Sequence, residues 1–324
     1  KKVCINTMQE IDPNAAQEYL DQLDKKSGVN TGKAATKEKS KTKAKLSQPN
    51  ELGLKNIPLE NLPSKGKFYV DGFSLAIKSA TVAEIRHWST IDETDMLSID
   101  DQLNYILERC SEVRIDDEIV SWKEILEIDR FFIIFKIQEL TFPNGENHLP
   151  HRFECNCSET KYSERLPIES SMLRIFDFPD ELTQFYSSED RAYSVKSEKM
   201  NAEFNIYMPT LGTMNRLREI IIELTATGQE IDRAFIKIVP YLVGNWESLD
   251  ISAYSALNHE SLTWNIPKFT FISKFADEIQ KAKRQLLKAD CPLCGSKIDS
   301  RIFLDSSFTV KDLFLISTGF SELV

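Results

Sequence analysis

The spacing of apolar and polar positions separates a short N-terminal part from a longer part that can form a core. In residues 1–24, Asp12-Pro13 is a helix-start signal followed by a narrow apolar stripe. The stripe consists of Ala16, Tyr19, Leu20 and Leu23. So short a helix is not stable alone in water. The segment is therefore either a frayed tail or a short helical docking segment, and the pattern favours neither.

Residues 25–50 contain almost no large apolar side chain, so they cannot bury enough surface to offset the cost of ordering. Between Lys25 and Lys45 there are eight lysines and one acid, a local balance of +7. Since the whole chain carries −10, the remainder carries −17. We predict a disordered Lys-rich linker attached to an acidic body.

Residues 54–148 have the pattern of a mainly helical domain with an N-terminal β-hairpin. Turn signals at Gly66 and at Asp71-Gly72 divide residues 57–80 into two strands. The apolar strand positions are Phe68, Tyr69, Phe73, Leu75 and Ile77. Thr81 and Glu84 have capping-box spacing, which predicts a helix through Trp88, and a second helix is predicted at about 99–109.

The segment from Trp122 to Leu140 is predicted to be one helix that starts at a second capping box, Ser121 and Glu124. Its apolar residues point in nearly every direction, which is typical of a central core helix or an interface helix. We take this helix and the one that carries Trp88 as the candidate contact surfaces, because aromatic residues often anchor interfaces.

From residue 149 the pattern changes to strands and then to helices. Strands are predicted in HRFECNC and KYSERLPI, and a hairpin at 192–208. Helices are predicted at about 213–227, 231–239, 247–258 and 268–288. The sequence therefore predicts an α+β protein with a helical N-terminal lobe (54–148) and an α+β lobe (149–324) that contains a helical insert.

Composition argues against several classes of function. The chain has only 11 glycines in 324 residues, and none has the spacing of a dinucleotide-binding loop or a P-loop. The G-x-S-x-G motif of hydrolases is absent from the sequence. We therefore expect a protein that is not an enzyme. The net charge of −10 argues against nucleic acid or anionic membrane as general partners, and no apolar run has the length of a membrane span.

The clearest chemical signal consists of two cysteine pairs, Cys155-x-Cys157 and Cys291-x2-Cys294-Gly295. Four thiolates complete tetrahedral zinc and leave no open position, which marks a structural site. We predict that Cys155, Cys157, Cys291 and Cys294 bind one structural zinc ion in a zinc-ribbon-like module, which joins the two ends of the second lobe. A redox dithiol or a chance pairing is the alternative, and His148 or His151 lies near enough to replace one cysteine.

The other chemically active residues have simpler interpretations. Cys110, late in a predicted helix, is expected to be a small buried apolar residue. Asp100-Asp101 and Asp116-Asp117 are expected to be solvated charges at a helix start or in a loop.

Three stretches resemble a known family. Residues 61–95 (NLPSKGKFYVDGFSLAIKSATVAEIRHWSTIDETD), 99–110 (IDDQLNYILERC) and 122–142 (WKEILEIDRFFIIFKIQELTF) resemble the baseplate hub subunits of T-even-like contractile-tailed bacteriophages. The resemblance covers about residues 55–160, with weaker agreement at the second cysteine pair. The N-terminal linker and the segment 158–290 depart from the family pattern.

The resemblance implies a structural or assembly component of the central baseplate hub, found in the virion tail and in the host cytoplasm during assembly. Its partners would be other hub proteins, with the tail tube and the tape-measure protein as further candidates. The competing hypothesis is a zinc-ribbon adaptor for nucleic acid or the transcription machinery. An adaptor would need a basic, aromatic face on its folded body, whereas here the lysines concentrate in the linker.

Overall fold

A computed structural model describes residues 53–88, 96–142, 150–151, 157, 164–165, 180–283, 286–291 and 293–301. This part of the chain is a mixed α+β structure with small antiparallel sheets, as the sequence predicts. The predicted N-terminal docking segment and Lys-rich linker lie outside the described residues.

The described residues form eight α-helices and eleven strands. The helices are α1 (Val82–Trp88), α2 (Met96–Cys110), α3 (Arg130–Thr141), α4 (Asp180–Thr183), α5 (Leu211–Ala226), α6 (Arg233–Ile238), α7 (Ile251–Ser261) and α8 (Ile266–Lys283). The strands are β1 (Lys55–Asn56), β2 (Phe73–Ile77), β3 (Ser111–Ile115), β4 (Glu118–Val120), β5 (Pro150–His151), β6 (Glu164–Arg165), β7 (Tyr186–Ser187), β8 (Ala192–Ser197), β9 (Ala202–Ile206), β10 (Leu286–Asp290) and β11 (Lys297–Arg301).

The first sheet has the order β1-β2-β3-β4 and corrects the predicted N-terminal hairpin. Phe68 and Tyr69 lie in a turn region, in which Lys65 and Gly66 have φ values of 55° and 73°. Strand β2 pairs with the two-residue strand β1 on one side and, on the other, with β3, which follows α2, with Leu75 opposite Val113. The prediction was wrong because cross-strand pairing over this separation depends on the position of α2, which local alternation does not encode.

The predicted helix from Ser121 to Leu140 is also shorter than expected. Two 3₁₀ turns, Trp122–Glu124 and Glu127–Asp129, precede α3. Between them the chain adopts extended conformations, and the Ile125 carbonyl accepts a hydrogen bond from Leu211 N (2.8 Å). The capping-box role of Glu124 is lost because its carboxylate accepts the indole N–H of Trp246 (2.8 Å). Contacts with α5 and the following turns therefore replace helical hydrogen bonds.

Most of the large apolar residues of these segments lie in the interior, whereas Trp122 and Phe131 are half-buried. Trp88 is fully buried, and so are Ile133 and Phe135 near the middle of α3. The buried residues form one cluster that extends from Ile57 to Ile279, across the predicted division between the two lobes. A helix that is apolar on all sides is thus a central core helix here.

A buried carboxylate fixes the start of α3. Asp129 has no exposed surface and accepts hydrogen bonds from Ser64 N (2.8 Å), Ser64 Oγ (2.7 Å) and the Tyr69 hydroxyl (2.8 Å). The same hydroxyl accepts the backbone N–H of Leu126 (3.1 Å). One carboxylate therefore connects the turn region of residues 62–69 to the segment that enters α3.

Burial raises the pKa of Asp129 from 3.8 to about 6, although the Ser64 and Tyr69 hydrogen bonds oppose the rise. The folded state therefore holds this proton more tightly than the unfolded state. The resulting stabilisation is complete below about pH 4 and is lost as the pH rises through about 6.

We expect Asp129 to lower the free energy of unfolding by on the order of 2–3 kcal/mol as the pH rises from about 4 to about 6. Denaturant titrations of the wild type and Asp129→Asn at several pH values would measure it. A constant difference between the two proteins from pH 4 to 7 would contradict the prediction.

The acidic pair Asp100-Asp101 remains part-exposed, as expected, with 39% and 40% of its side-chain surface accessible, but it also binds two arginines. Asp100 bonds to Arg130 Nη1 (2.5 Å) on α3, and Arg218 on α5 pairs with Asp101 and, at 3.4 Å, with Asp100. The Arg130 side chain is only 10% exposed, so its charge needs this partner. The second pair, Asp116-Asp117, does lie in an exposed β-turn, with φ values of 49° and 65°.

In the second half of the chain, the helices and strands predicted from local sequence patterns agree more closely with the structure. The hairpin predicted at 192–208 is confirmed as β8–β9, and α5, α6 and α7 match the predicted helices to within a few residues. Thr210, Asp232 and Asp250 cap these three helices through their side-chain oxygens. Among the helices described, none combines the length and apolar character needed to cross a membrane.

Candidate metal centre

The second cysteine pair lies at the tip of a β-hairpin. Strands β10 and β11 are antiparallel, with Asp290 opposite Lys297, and the six residues between them carry Cys291 and Cys294. The predicted helix 268–288 is therefore wrong at its end, since α8 stops at Lys283 and the chain enters Cys291 from a strand. Pairing with β11 gives Leu286–Asp290 cross-strand hydrogen bonds, and the sequence of α8 alone does not reveal this.

Backbone hydrogen bonds hold the hairpin tip in a tight turn. Cys291 N donates to Ser296 O (2.8 Å), and Gly295 N donates to Cys291 O (2.7 Å). Gly295 has φ of 68°, a conformation that a residue with a Cβ rarely adopts. The sequence Cys291-x2-Cys294-Gly295 therefore folds as the predicted knuckle, with both thiols on one short turn.

Cys157, which is 134 residues earlier in the chain, meets this knuckle. The sulfur atoms of Cys157, Cys291 and Cys294 all lie within 4.8 Å of one another, and Cys157 Sγ is 3.6 Å from Cys291 Sγ. Zn–S bonds of about 2.3 Å at a tetrahedral centre place two sulfurs about 3.8 Å apart. The Cys157–Cys291 separation matches that value, whereas a disulfide would need about 2.05 Å. These three thiols form a group that could hold a metal ion.

The site lies at the surface, with one buried ligand. Cys291 is only 2% exposed, while Cys157 and Cys294 are exposed. The Ser296 hydroxyl lies 2.9 Å from Cys294 Sγ and supplies a polar neighbour to that sulfur. Donors around a thiolate stabilise its charge and orient it toward a metal.

The remaining predicted ligands are described only in part. Cys155, the fourth predicted ligand, and His148, a possible substitute, lie outside the described residues. His151 lies in β5, opposite Glu164, and only its backbone is described. The structure thus brings three of the four predicted cysteines together, and the identity of the fourth ligand stays a prediction.

The other thiol in the described part of the chain has a different environment. Cys110 is fully buried at the end of α2, as expected. Burial, together with the nearby carboxylate of Glu84, raises the pKa of the Cys110 thiol to about 12. Because only the thiolate is a good nucleophile or metal ligand, burial makes Cys110 poorly suited to either role.

Sequence reasoning missed the role of Asp129. The available signal was a charged pair, Asp129-Arg130, at the edge of the most apolar run of the chain. Charged groups inside an apolar segment need partners when they are buried. Here Asp129 binds Ser64 and Tyr69, and Arg130 binds Asp100.

We compared the chain with family models, with curated proteins and with solved structures, and found no match in any of the three.

Proposed function

We propose that this protein is a structural or assembly component of the central baseplate hub of a contractile phage tail. It acts through contacts with other hub proteins, and a structural zinc ion stabilises its second lobe. It functions in the virion tail baseplate after assembly in the host cytoplasm. No substrate turnover is part of this proposal.

One observation carries the proposal: the resemblance of residues 61–95, 99–110 and 122–142 to hub subunits. The described parts of these stretches pack against one another in the structure. Trp88, Ile106 and Phe135, one from each stretch, are all fully buried in the same cluster. The Asp129 carboxylate further ties the first stretch to the third. The segments that carry the resemblance thus form a coherent core rather than scattered matches.

The zinc part of the proposal rests on the thiol geometry. Three sulfurs converge from two distant parts of the chain, and Cys155 would supply the fourth. Four thiolates leave no position for a substrate or a reactive water. Such a site would connect the strand region near residue 157 to the hairpin β10–β11, which is the zinc-stapled arrangement expected of the second lobe.

Because Trp88 and most of α3 are internal, we looked for the contact surface among the exposed apolar residues. Among the residues that the structure describes, Leu262, Ile266 and Val82 are the most exposed large apolar ones, at 73%, 81% and 72%. Leu262 and Ile266 lie four residues apart at the junction of α7 and α8, next to the half-buried Trp264. An exposed apolar group of this kind suits a protein contact.

The test is complementation of a phage that lacks this gene. Electron microscopy of the lysate should show heads but no complete tails, and wild-type protein should restore them. Leu262→Asp with Ile266→Asp should remain folded yet restore at least tenfold fewer infectious particles. Val82→Asp, which changes an equally exposed apolar residue at the start of α1, is the control and should complement fully. Normal infectious tails without the protein would refute the hub proposal and favour the adaptor hypothesis.

A further inference from the structure

The candidate metal centre has two of its three described thiols at the surface. Cys157 and Cys294 are exposed, whereas Cys291, whose sulfur lies within 4.8 Å of theirs, is only 2% exposed. Oxidation of cysteine follows the exposure and the thiolate character of the sulfur. A small oxidant in solution therefore reaches Cys157 and Cys294 before it reaches Cys291.

The buried thiol lies directly beside one of the exposed ones. Cys157 Sγ is 3.6 Å from Cys291 Sγ, and a disulfide needs about 2.05 Å, so an approach of about 1.5 Å would join them. Both residues lie outside the strands, Cys157 in a turn and Cys291 at the tip of the hairpin β10–β11. The backbone hydrogen bonds of Cys291 to Ser296 and Gly295 do not involve its side chain. The two sulfurs can therefore meet without breaking the strand pairing.

We propose that Cys157 and Cys291 form a disulfide when a peroxide oxidises this site. In the first step the Cys157 thiolate attacks one peroxide oxygen, the O–O bond breaks, hydroxide leaves and a sulfenic acid forms. In the second step the Cys291 thiolate attacks the Cys157 sulfur, the S–S bond forms, the S–O bond breaks and a second hydroxide leaves. Each sulfur gives up one electron, and the peroxide takes up both.

The disulfide would replace the metal as the link within the second lobe. A zinc site that loses two of its four thiolates cannot hold its ion, so the metal leaves as the bond forms. The new bond joins residues that are 134 positions apart. A cross-link over so long a loop restricts the unfolded chain strongly, which favours the folded state. The region near Cys157 and the hairpin β10–β11 therefore stay connected without zinc.

The inference rests on the proposed function for its zinc-bound starting state and for a change of compartment. Thiols remain reduced in a cytoplasm, where they can bind zinc, whereas disulfides form and persist on particles outside the cell. A hub protein assembled in the host and then released in a virion passes from one condition to the other. The disulfide itself can be tested on the isolated protein, separately from any role in a tail.

The test is titration of the purified full-length protein with hydrogen peroxide. Peptide mapping by mass spectrometry without reduction should find Cys157–Cys291 at least about tenfold more often than Cys291–Cys294, because the second pair already shares a tight turn held by the metal-site backbone. A metal-sensitive dye should record one zinc ion released for each disulfide formed, and dithiothreitol with added zinc should reverse both changes. Cys291–Cys294 as the main disulfide, or a sulfinic acid at Cys157 without a cross-link, would overturn the proposal.

The two proposals fail in different ways. Protein that contains no zinc but forms the Cys157–Cys291 bond would refute the zinc part of the proposed function and support the disulfide. Protein that contains zinc but does not form the bond would overturn the disulfide and leave the zinc site standing.

Matched variants test the pair and its effect on stability. Cys294→Ser keeps both members of the pair, so it should still form the disulfide although it binds zinc weakly. Cys157→Ser should not form it, and Cys4→Ser, the control, should react as the wild type does. Oxidised wild-type protein should melt at a higher temperature than reduced protein stripped of metal by a chelator. Equal melting temperatures, or a Cys157→Ser protein as stable after peroxide as the oxidised wild type, would show that the bond does not replace the metal.

Discussion

Cys291→Ser is expected to remove zinc from the protein and to loosen the hairpin β10–β11. Wild-type protein should contain one tightly bound zinc ion per chain, because three sulfurs converge and Cys155, the predicted fourth ligand, would complete a tetrahedral site. A structural zinc contributes its binding energy directly to folding, on the order of 10 kcal/mol in small zinc domains. Loss of the buried ligand should weaken zinc binding at least a hundredfold and lower the melting temperature. Elemental analysis and thermal denaturation measure both effects.

Matched cysteine variants define which thiols bind the metal. Cys4→Ser removes a thiol that we do not assign to the site and should leave one zinc per chain. Cys155→Ser should weaken zinc binding as Cys294→Ser does, whereas His148→Ala and His151→Ala should not. A Cys291→Ser protein that retains stoichiometric zinc and its melting temperature would refute the zinc site. Zinc loss in His151→Ala with retention in Cys155→Ser would instead assign the fourth position to the histidine.

Asp129→Ala should destabilise the folded protein by about 1–3 kcal/mol, the cost of leaving buried hydrogen-bond donors without their acceptor. The substitution leaves Ser64 N, Ser64 Oγ and the Tyr69 hydroxyl without their acceptor in a fully buried site. It also detaches the turn region of residues 62–69 from the start of α3. Chemical denaturation followed by tryptophan fluorescence would measure the change, since Trp88 lies in the same core.

Two further variants test whether the hydrogen bonds cause this loss. Ser64→Ala removes one donor and keeps the carboxylate, so it should cost about 1 kcal/mol. Glu118→Ala changes an exposed carboxylate on β4 and should stay within about 0.5 kcal/mol of the wild type. If Asp129→Ala were no more destabilising than Glu118→Ala, the carboxylate would not be the link that we describe.

The local elements were predictable where one short stretch contains all the signals. The β8–β9 hairpin is confirmed because alternation in AYSVKS and AEFNI lies on both sides of a short turn. Helix α5 is confirmed because a capping threonine, Thr210, precedes an amphipathic pattern that ends near Gly228. The knuckle turn was predictable for the same reason, since Cys291, Cys294 and Gly295 are nearly adjacent.

The errors all involve partners that are distant in the chain. Ser121 and Glu124 have the spacing of a capping box, but Glu124 binds Trp246 and the expected long helix begins only at Arg130. Asp100 and Asp101 have the pattern of solvated charges and stay part-exposed, but the pattern does not reveal their ion pairs with Arg130 and Arg218. In each case a tertiary contact competes with the local preference, and it prevails because burial makes an unpaired polar group costly.

By itself the sequence determined the α+β class, the short-range hairpins and helices, and the cysteine pair with its glycine turn. Spacing and propensity act over a few residues, so the chain encodes them locally. Only the tertiary structure decided that β2 pairs with β3, that Trp88 and α3 are internal, and that Cys157 meets Cys291 across 134 residues. Those contacts depend on which surfaces pack together in the core. A periodic pattern in the sequence shows that a face is apolar, but it does not show which other part of the chain covers that face.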